Sequence, residues 1–142
     1  MPELLAHHTT LRLGGPAREW VTARTEAELV AAVRDAPGEV LVLGGGSNLV
    51  VADDGVPGRV VQVATRGVRV DVEDDDGAGD PTCGGVLVRV AAGEPWDDLV
   101  ALAVERGWVG IEALAGIPGL VGATPIQNVG AYGQEGAQTI AA

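Results

Sequence analysis

Lysine is absent from this chain of 142 residues, so its 9 basic residues are all arginine, and they face 20 acidic ones for a formal charge of -11. Without lysine no Walker A loop can form, because that loop ends in Gly-Lys-Ser/Thr to reach the phosphates. The acidic balance also argues against a nucleic-acid partner, since phosphate neutralisation needs a basic face. Cysteine is nearly absent as well. Cys83 alone cannot close an intramolecular disulfide, and with only His7 and His8 besides, no spaced ligand set for zinc exists. Long apolar runs are missing too: Gly, Asp or Arg interrupts each one well short of ~18 residues, and no basic-then-apolar leader opens the chain. These absences predict a cytoplasmic protein without a metal and without membrane insertion.

Glycine is what the chain has in excess, 22 residues alongside 8 prolines and with no collagen-like period. That is about twice the usual ~7% and signals many tight turns. The hydrophobic share of 46% suffices for a core. At ~100 to 200 residues per domain, the length allows one domain or two small lobes.

Local patterns predict an α+β chain. A short strand over residues 19–23 leads to a capping box, Thr25 with Glu28, and a helix over 26–36 that Pro37 and Gly38 stop. The apolar run 40–43 reads as a buried strand, and residues 49–51 as a second one beyond an intervening glycine cluster. Residues 1–57 thus form a βαβ-like first lobe, with a composition shift near 57–59 as its boundary. Across 59–92 valines alternate at Val61 and Val63, at Val68, Val70 and Val72, and at Val86, Val88 and Val90, which predicts an antiparallel meander. The acidic run beginning at Glu73 reads as its solvated tip. Pro95 then opens a helix with the buried stripe Trp96, Leu99, Val100, Ala103 and Val104, ended by Gly107.

Two segments could carry chemistry. Gly44-Gly45-Gly46-Ser47-Asn48 follows a buried strand, where N–H groups without side-chain cover can converge on a phosphate. The Rossmann pattern fits at Gly44 and Gly46 but fails at Leu49, and no helix follows. A tight turn needing positive φ is the competing explanation. The second segment, residues 117–133, is nearly uncharged. Gly119, Gly122 and Ala123 would give a helix after Pro118 a bare face for a flat or pyrophosphate-bearing ligand, or else for close packing against a sheet. Gln127 and Asn128 favour a ligand, because amides buried in so apolar a stretch need partners.

Taken in order, Thr9-Thr10-Leu11-Arg12-Leu13-Gly14-Gly15-Pro16-Ala17, Leu43-Gly44-Gly45-Gly46-Ser47-Asn48-Leu49, Gly110-Ile111-Glu112 and Ile117-Pro118-Gly119 through Pro125-Ile126-Gln127-Asn128-Val129-Gly130-Ala131-Tyr132-Gly133 resemble the UDP-N-acetylenolpyruvoylglucosamine reductases of peptidoglycan precursor synthesis. The resemblance implies a two-lobed FAD-binding domain of the p-cresol methylhydroxylase type, here ending within its second lobe, residues 58–142, with the substrate-binding domain absent. It implies that Gly44, Gly45, Gly46, Ser47 and Asn48 cradle the FAD pyrophosphate. Ile117, Pro118, Gly119, Gly122, Ala123, Thr124, Ile126 and Asn128 would line the flavin, Thr10 would lie near it, and Tyr132 would face the substrate side.

By the same resemblance NADPH is the reductant and UDP-N-acetylglucosamine enolpyruvate the substrate, and the residues that protonate and polarise it are expected beyond Ala142. No catalytic residue is therefore assigned within the chain, and the missing C-terminal half is an expected partner. Gly136 departs from the larger apolar residue expected before a further strand. The alternatives are a truncated, non-catalytic FAD-binding module or partner-binding homologue, and a purely structural protein that takes up no flavin.

Overall fold

The computed structural model describes residues 2–73 and 85–141. Most of the acidic segment, with Asp80, Cys83 and the glycines at 77, 79 and 84, lies outside the described residues.

Strands β1 (Ala17–Ala23), β2 (Val40–Leu43) and β3 (Val56–Val63) form a parallel sheet in the order β1-β3-β2. Between β1 and β2 runs helix α1 (Glu26–Arg34), whose Thr25 side chain accepts from Glu28 N–H while the Glu28 carboxylate accepts from Thr25 N–H. The predicted capping box is thus present, and the helix ends at the Asp35 cap, short of residue 36. One sheet face buries Ala23 and Val61 against Ala32 of α1; the other buries Val60, Leu43 and Ala17 against Leu5 of the N-terminal segment. Both faces are covered, as a parallel sheet requires.

Two strand expectations are corrected. Residues 49–51 form no strand: Leu49 and Val51 pack onto the Leu5 cluster from an irregular loop. β3 belongs to the parallel sheet, not to a meander, because Val60 and Val61 are needed on opposite faces at the centre of that sheet. Position 57/58, where composition shifts, consequently falls inside β3. Antiparallel pairing is confined to β4 (Val68–Glu73) with β5 (Val86–Val90), and to the short hairpin β6 (Gly130–Ala131) with β7 (Gln134–Glu135).

Helix α2 (Trp96–Arg106) starts after Pro95, which is its N-cap, and stops at Gly107 in the left-handed conformation. Trp96, Val100 and Ala103 are buried, but Val104, assigned to the stripe, is 58% exposed. Trp96, Val100, Leu114 and Val129 make the core of this half, and the Trp96 indole N–H donates to the Leu114 carbonyl at 3.0 Å. Among the described residues no helix is long and apolar enough to cross a membrane.

Candidate functional site

The loop 44–48 leaves the carboxyl end of β2, the side of a parallel sheet on which ligands of open α/β sheets are held. Its glycines have different tasks. Gly46 has φ of 65°, and a Cβ there would overlap the His8 carbonyl oxygen. Its own carbonyl accepts from Thr10 N–H at 3.0 Å, which fixes Thr10 against the loop. Gly45 is not in the left-handed region; a Cβ on it would stand 3.3 Å from the Gly119 Cα and 3.6 Å from Leu120 Cγ. Ser47 Oγ donates to the Pro118 carbonyl across the same junction at 3.4 Å. Two glycine-rich segments far apart in sequence therefore meet edge to edge.

Gly119 (φ 132°) and the residues around it are held by the turn before α2. Trp96 N–H donates to the Gly119 carbonyl at 3.0 Å, and Val121 N–H to the Glu94 carbonyl at 2.9 Å. No helix follows Pro118 directly: the chain bends at Gly119, pairs Leu120 with Pro95 in an isolated bridge, makes one 3-10 turn over Val121–Ala123, and enters α3 (Thr124–Gln127). The expected bare helical face is thereby corrected. A Cβ on Gly122 would lie 2.6 Å from Ala92 Cβ, so its missing side chain serves close packing. The buried Thr124 hydroxyl donates to the Val121 carbonyl at 2.7 Å, and Ile117 joins the Trp96 core.

Gln127 and Asn128 are exposed, not buried amides, and their side chains hold no hydrogen bond among the described residues. Asn128 has φ of 46°, a left-handed conformation that asparagine tolerates better than most. Ile126 is 85% exposed, beside the exposed Pro125. Tyr132 is 96% exposed at the β6–β7 turn, where it and Gly133 have φ of 51° and 88°, as a two-residue hairpin with matching twist demands. That hairpin is tied down by Gln134, whose Oε1 accepts from Ala113 N–H at 2.8 Å. Glu112 accepts from Gly110 N–H at 2.6 Å. Its carboxyl is held below the usual range first by its own backbone N–H, then by those of Gly110 and the Gln134 side chain.

The structure thus joins Gly44, Gly45, Gly46, Ser47, Thr10, Pro118 and Gly119 in one place. Ile126 and Asn128 stand on the next turn of chain, and Tyr132 on the hairpin beyond it. Leu120 is an addition. It lies 3.9 Å from the Cβ position of Gly44 and close to that of Gly45, yet a leucine between glycines gives no sequence signal beyond ordinary core. Among the described residues, the N–H groups of Gly45, Gly46, Ser47, Asn48, Gly119 and Leu120 donate to no protein acceptor. Backbone donors left open beside glycines fit a pyrophosphate oxygen cluster, the kind of concavity successive N–H groups make for anions. No group of three or more His, Cys, Asp or Glu is placed to hold a metal ion among the described residues.

The chain is 56% identical to UDP-N-acetylenolpyruvoylglucosamine reductase of Cutibacterium acnes over 140 residues, 96% of this chain and 35% of that protein. It is likewise 56% identical to the same-named protein of Salinispora arenicola over 139 residues, 96% of this chain and 36% of the relative. The chain therefore spans about a third of the length of these curated relatives. Its fold matches the crystal structure of UDP-N-acetylenolpyruvylglucosamine reductase from Thermus caldophilus with a TM-score of 0.71 at 36% identity, covering 95% of this chain and 44% of that one. The family model described as FAD binding domain matches residues 17–142, both halves of the junction included, and the chain belongs to that family.

Proposed function

We propose that this chain is the flavin-holding part of an NADPH-dependent reductase acting on UDP-N-acetylglucosamine enolpyruvate in peptidoglycan synthesis. The observation that carries the reading is the junction of residues 44–48 with 118–120, where Gly45 and Gly119 let two backbones meet and N–H groups of both segments have no protein acceptor among the described residues. These donors would hold the FAD diphosphate, with Asn48 adding a side-chain donor at its rim and Ser47, its hydroxyl donating to the Pro118 carbonyl, holding the two segments together. FAD bound there supplies two-electron transfer between a nicotinamide and an enolpyruvyl group. The chain's own residues bind and orient. Thr10 N–H braces the loop through Gly46 and Trp96 N–H braces Gly119, while Tyr132, exposed at the hairpin turn, would face the substrate.

The two lobes are best divided after β3, since residues 58–63 complete the first sheet. Titrating the purified chain with FAD, followed by flavin absorbance and fluorescence, tests the reading. Saturable uptake of one FAD per chain is expected, with much weaker uptake of riboflavin, which lacks the diphosphate. Equal affinity for the two flavins would show that the junction is not a diphosphate site.

A further inference from the structure

We propose that Arg12 is the cation that meets the FAD diphosphate at the 44–48 loop, an inference that rests on the flavin reading above. A diphosphate is doubly charged, and backbone N–H groups offer only partial charge. Neither 44–48 nor 117–120 contains a charged side chain, and the chain as a whole, at -11, repels an anion. A full positive charge beside the loop would therefore change affinity most.

The Arg12 backbone lies beside that loop. The segment carrying it docks on the loop: His8 carbonyl oxygen lies against Gly46, and Thr10 N–H donates to the Gly46 carbonyl at 3.0 Å. Two residues of chain cover at most about 7 Å, so the Arg12 backbone stays close to that bond. The segment is also rigidly folded. Buried Thr9 donates its hydroxyl to the Leu13 carbonyl at 2.8 Å and accepts from Leu13 N–H at 3.2 Å, while Arg12 N–H donates to the Thr9 carbonyl at 3.0 Å. Within this clamp Arg12 has φ of 55°, a left-handed conformation that an arginine does not choose by itself.

The other arginines are otherwise engaged or elsewhere. Arg34, Arg59, Arg66, Arg69 and Arg89 form ion pairs, and Arg106 lies 5.7 Å over the Trp108 ring. Arg24 follows β1, two strands away from β2 in the sheet, and Arg18 sits near the opposite end of β1. Arg12 is exposed and has no ion pair among the described residues. A guanidinium suits phosphate oxygens because its planar fork donates to two of them at once.

The test is equilibrium binding of FAD and of riboflavin to the full chain and to Arg12→Gln and Arg12→Lys, each at low and high salt. Arg12→Gln should weaken FAD binding about tenfold at low salt and flatten its salt dependence, with riboflavin affinity unmoved and Arg12→Lys recovering part of both effects. Unchanged FAD affinity and salt response in Arg12→Gln would overturn the assignment while leaving the flavin reading intact. A parallel fall in riboflavin affinity would also overturn it, by showing general damage to the loop. No uptake of either flavin by the unsubstituted chain would remove the flavin reading itself and this inference with it.

Discussion

Gly45 and Gly119 face each other across the junction of the 44–48 and 117–120 segments, so close that a Cβ on the first would stand 3.3 Å from the Cα of the second. Neither loop could approach the other, or keep its N–H groups uncovered, with a side chain at this point. The neighbouring Gly46 looks equivalent in sequence but does different work: its left-handed φ of 65° and its contact with the His8 carbonyl belong to the folding of the loop.

The two glycines should therefore separate binding from folding. Gly45→Val is expected to abolish FAD retention while the chain still folds, at a smaller cost in stability than Gly46→Ala, since the added bulk pushes the 118–120 segment away from the loop. Gly46→Ala should instead destabilise the chain by roughly 2 to 4 kcal/mol, from left-handed strain and displacement of residue 8. Urea unfolding and flavin content measured on both variants check this. Normal flavin content in Gly45→Val would count against the diphosphate site.

How much of this was legible beforehand differs by residue. Thr25 and Glu28 announced α1 because a capping box is local chemistry, and the Gly107 stop was equally local. β3 departs from its local pattern because Val61 and Val63 alternate like a half-exposed strand, whereas the pairing that buries Val60 and Val61 comes from strands distant in sequence. The site segments were visible as glycine clusters, but their meeting at Gly45 and Gly119 is tertiary. Gln127 and Asn128 misled for a related reason: apolar neighbours suggested burial, yet Pro125, Ile126 and Asn128 itself lie on the surface of this chain.

Asn128 separates a ligand contact from a core amide. Because it is exposed and left-handed, Asn128→Gly keeps the backbone conformation at little cost and removes only the amide. FAD affinity is expected to fall by about ten- to a hundredfold, the equivalent of roughly 1 to 3 kcal/mol, with unfolding temperature unchanged or slightly raised. Calorimetric titration would decide. Unchanged affinity would remove Asn128 from the site.

Trp96 ties helix α2 to the junction, its indole donating to Leu114 and its backbone N–H to Gly119. Trp96→Phe keeps much of the apolar volume but strands the carbonyl of the fully buried Leu114. A loss of about 1 to 3 kcal/mol in urea unfolding is expected. FAD affinity should drop only modestly, because the backbone bond to Gly119 survives. A variant as stable as the parent would mean that another donor reaches that carbonyl.

Acid sensitivity follows from carboxylates whose folded-state proton affinity is reduced. Glu19 is held low by its hydrogen bond to Arg59, Asp71 by Arg69 and then Arg89, and Glu112 by the N–H groups about it. Each group binds its proton more weakly folded than unfolded. Their stabilisation is therefore fully present above the ordinary values of 3.8 for Asp and 4.5 for Glu, and is lost as pH falls through the lowered folded values. Protonation also relieves self-repulsion in a chain of charge -11, an effect of opposite sign, so the raw pH curve mixes the two. Variants separate them. The stability difference between the parent chain and Glu112→Gln should be largest near about pH 6 and shrink toward about pH 3, and likewise for Glu19→Gln. Added salt should reduce the Glu19 difference, which depends on a partly exposed ion pair, and leave that of Glu112, which depends on backbone N–H groups, nearly unchanged. A Glu112 difference that stays constant across the pH series would show that its carboxylate charge contributes nothing to folding.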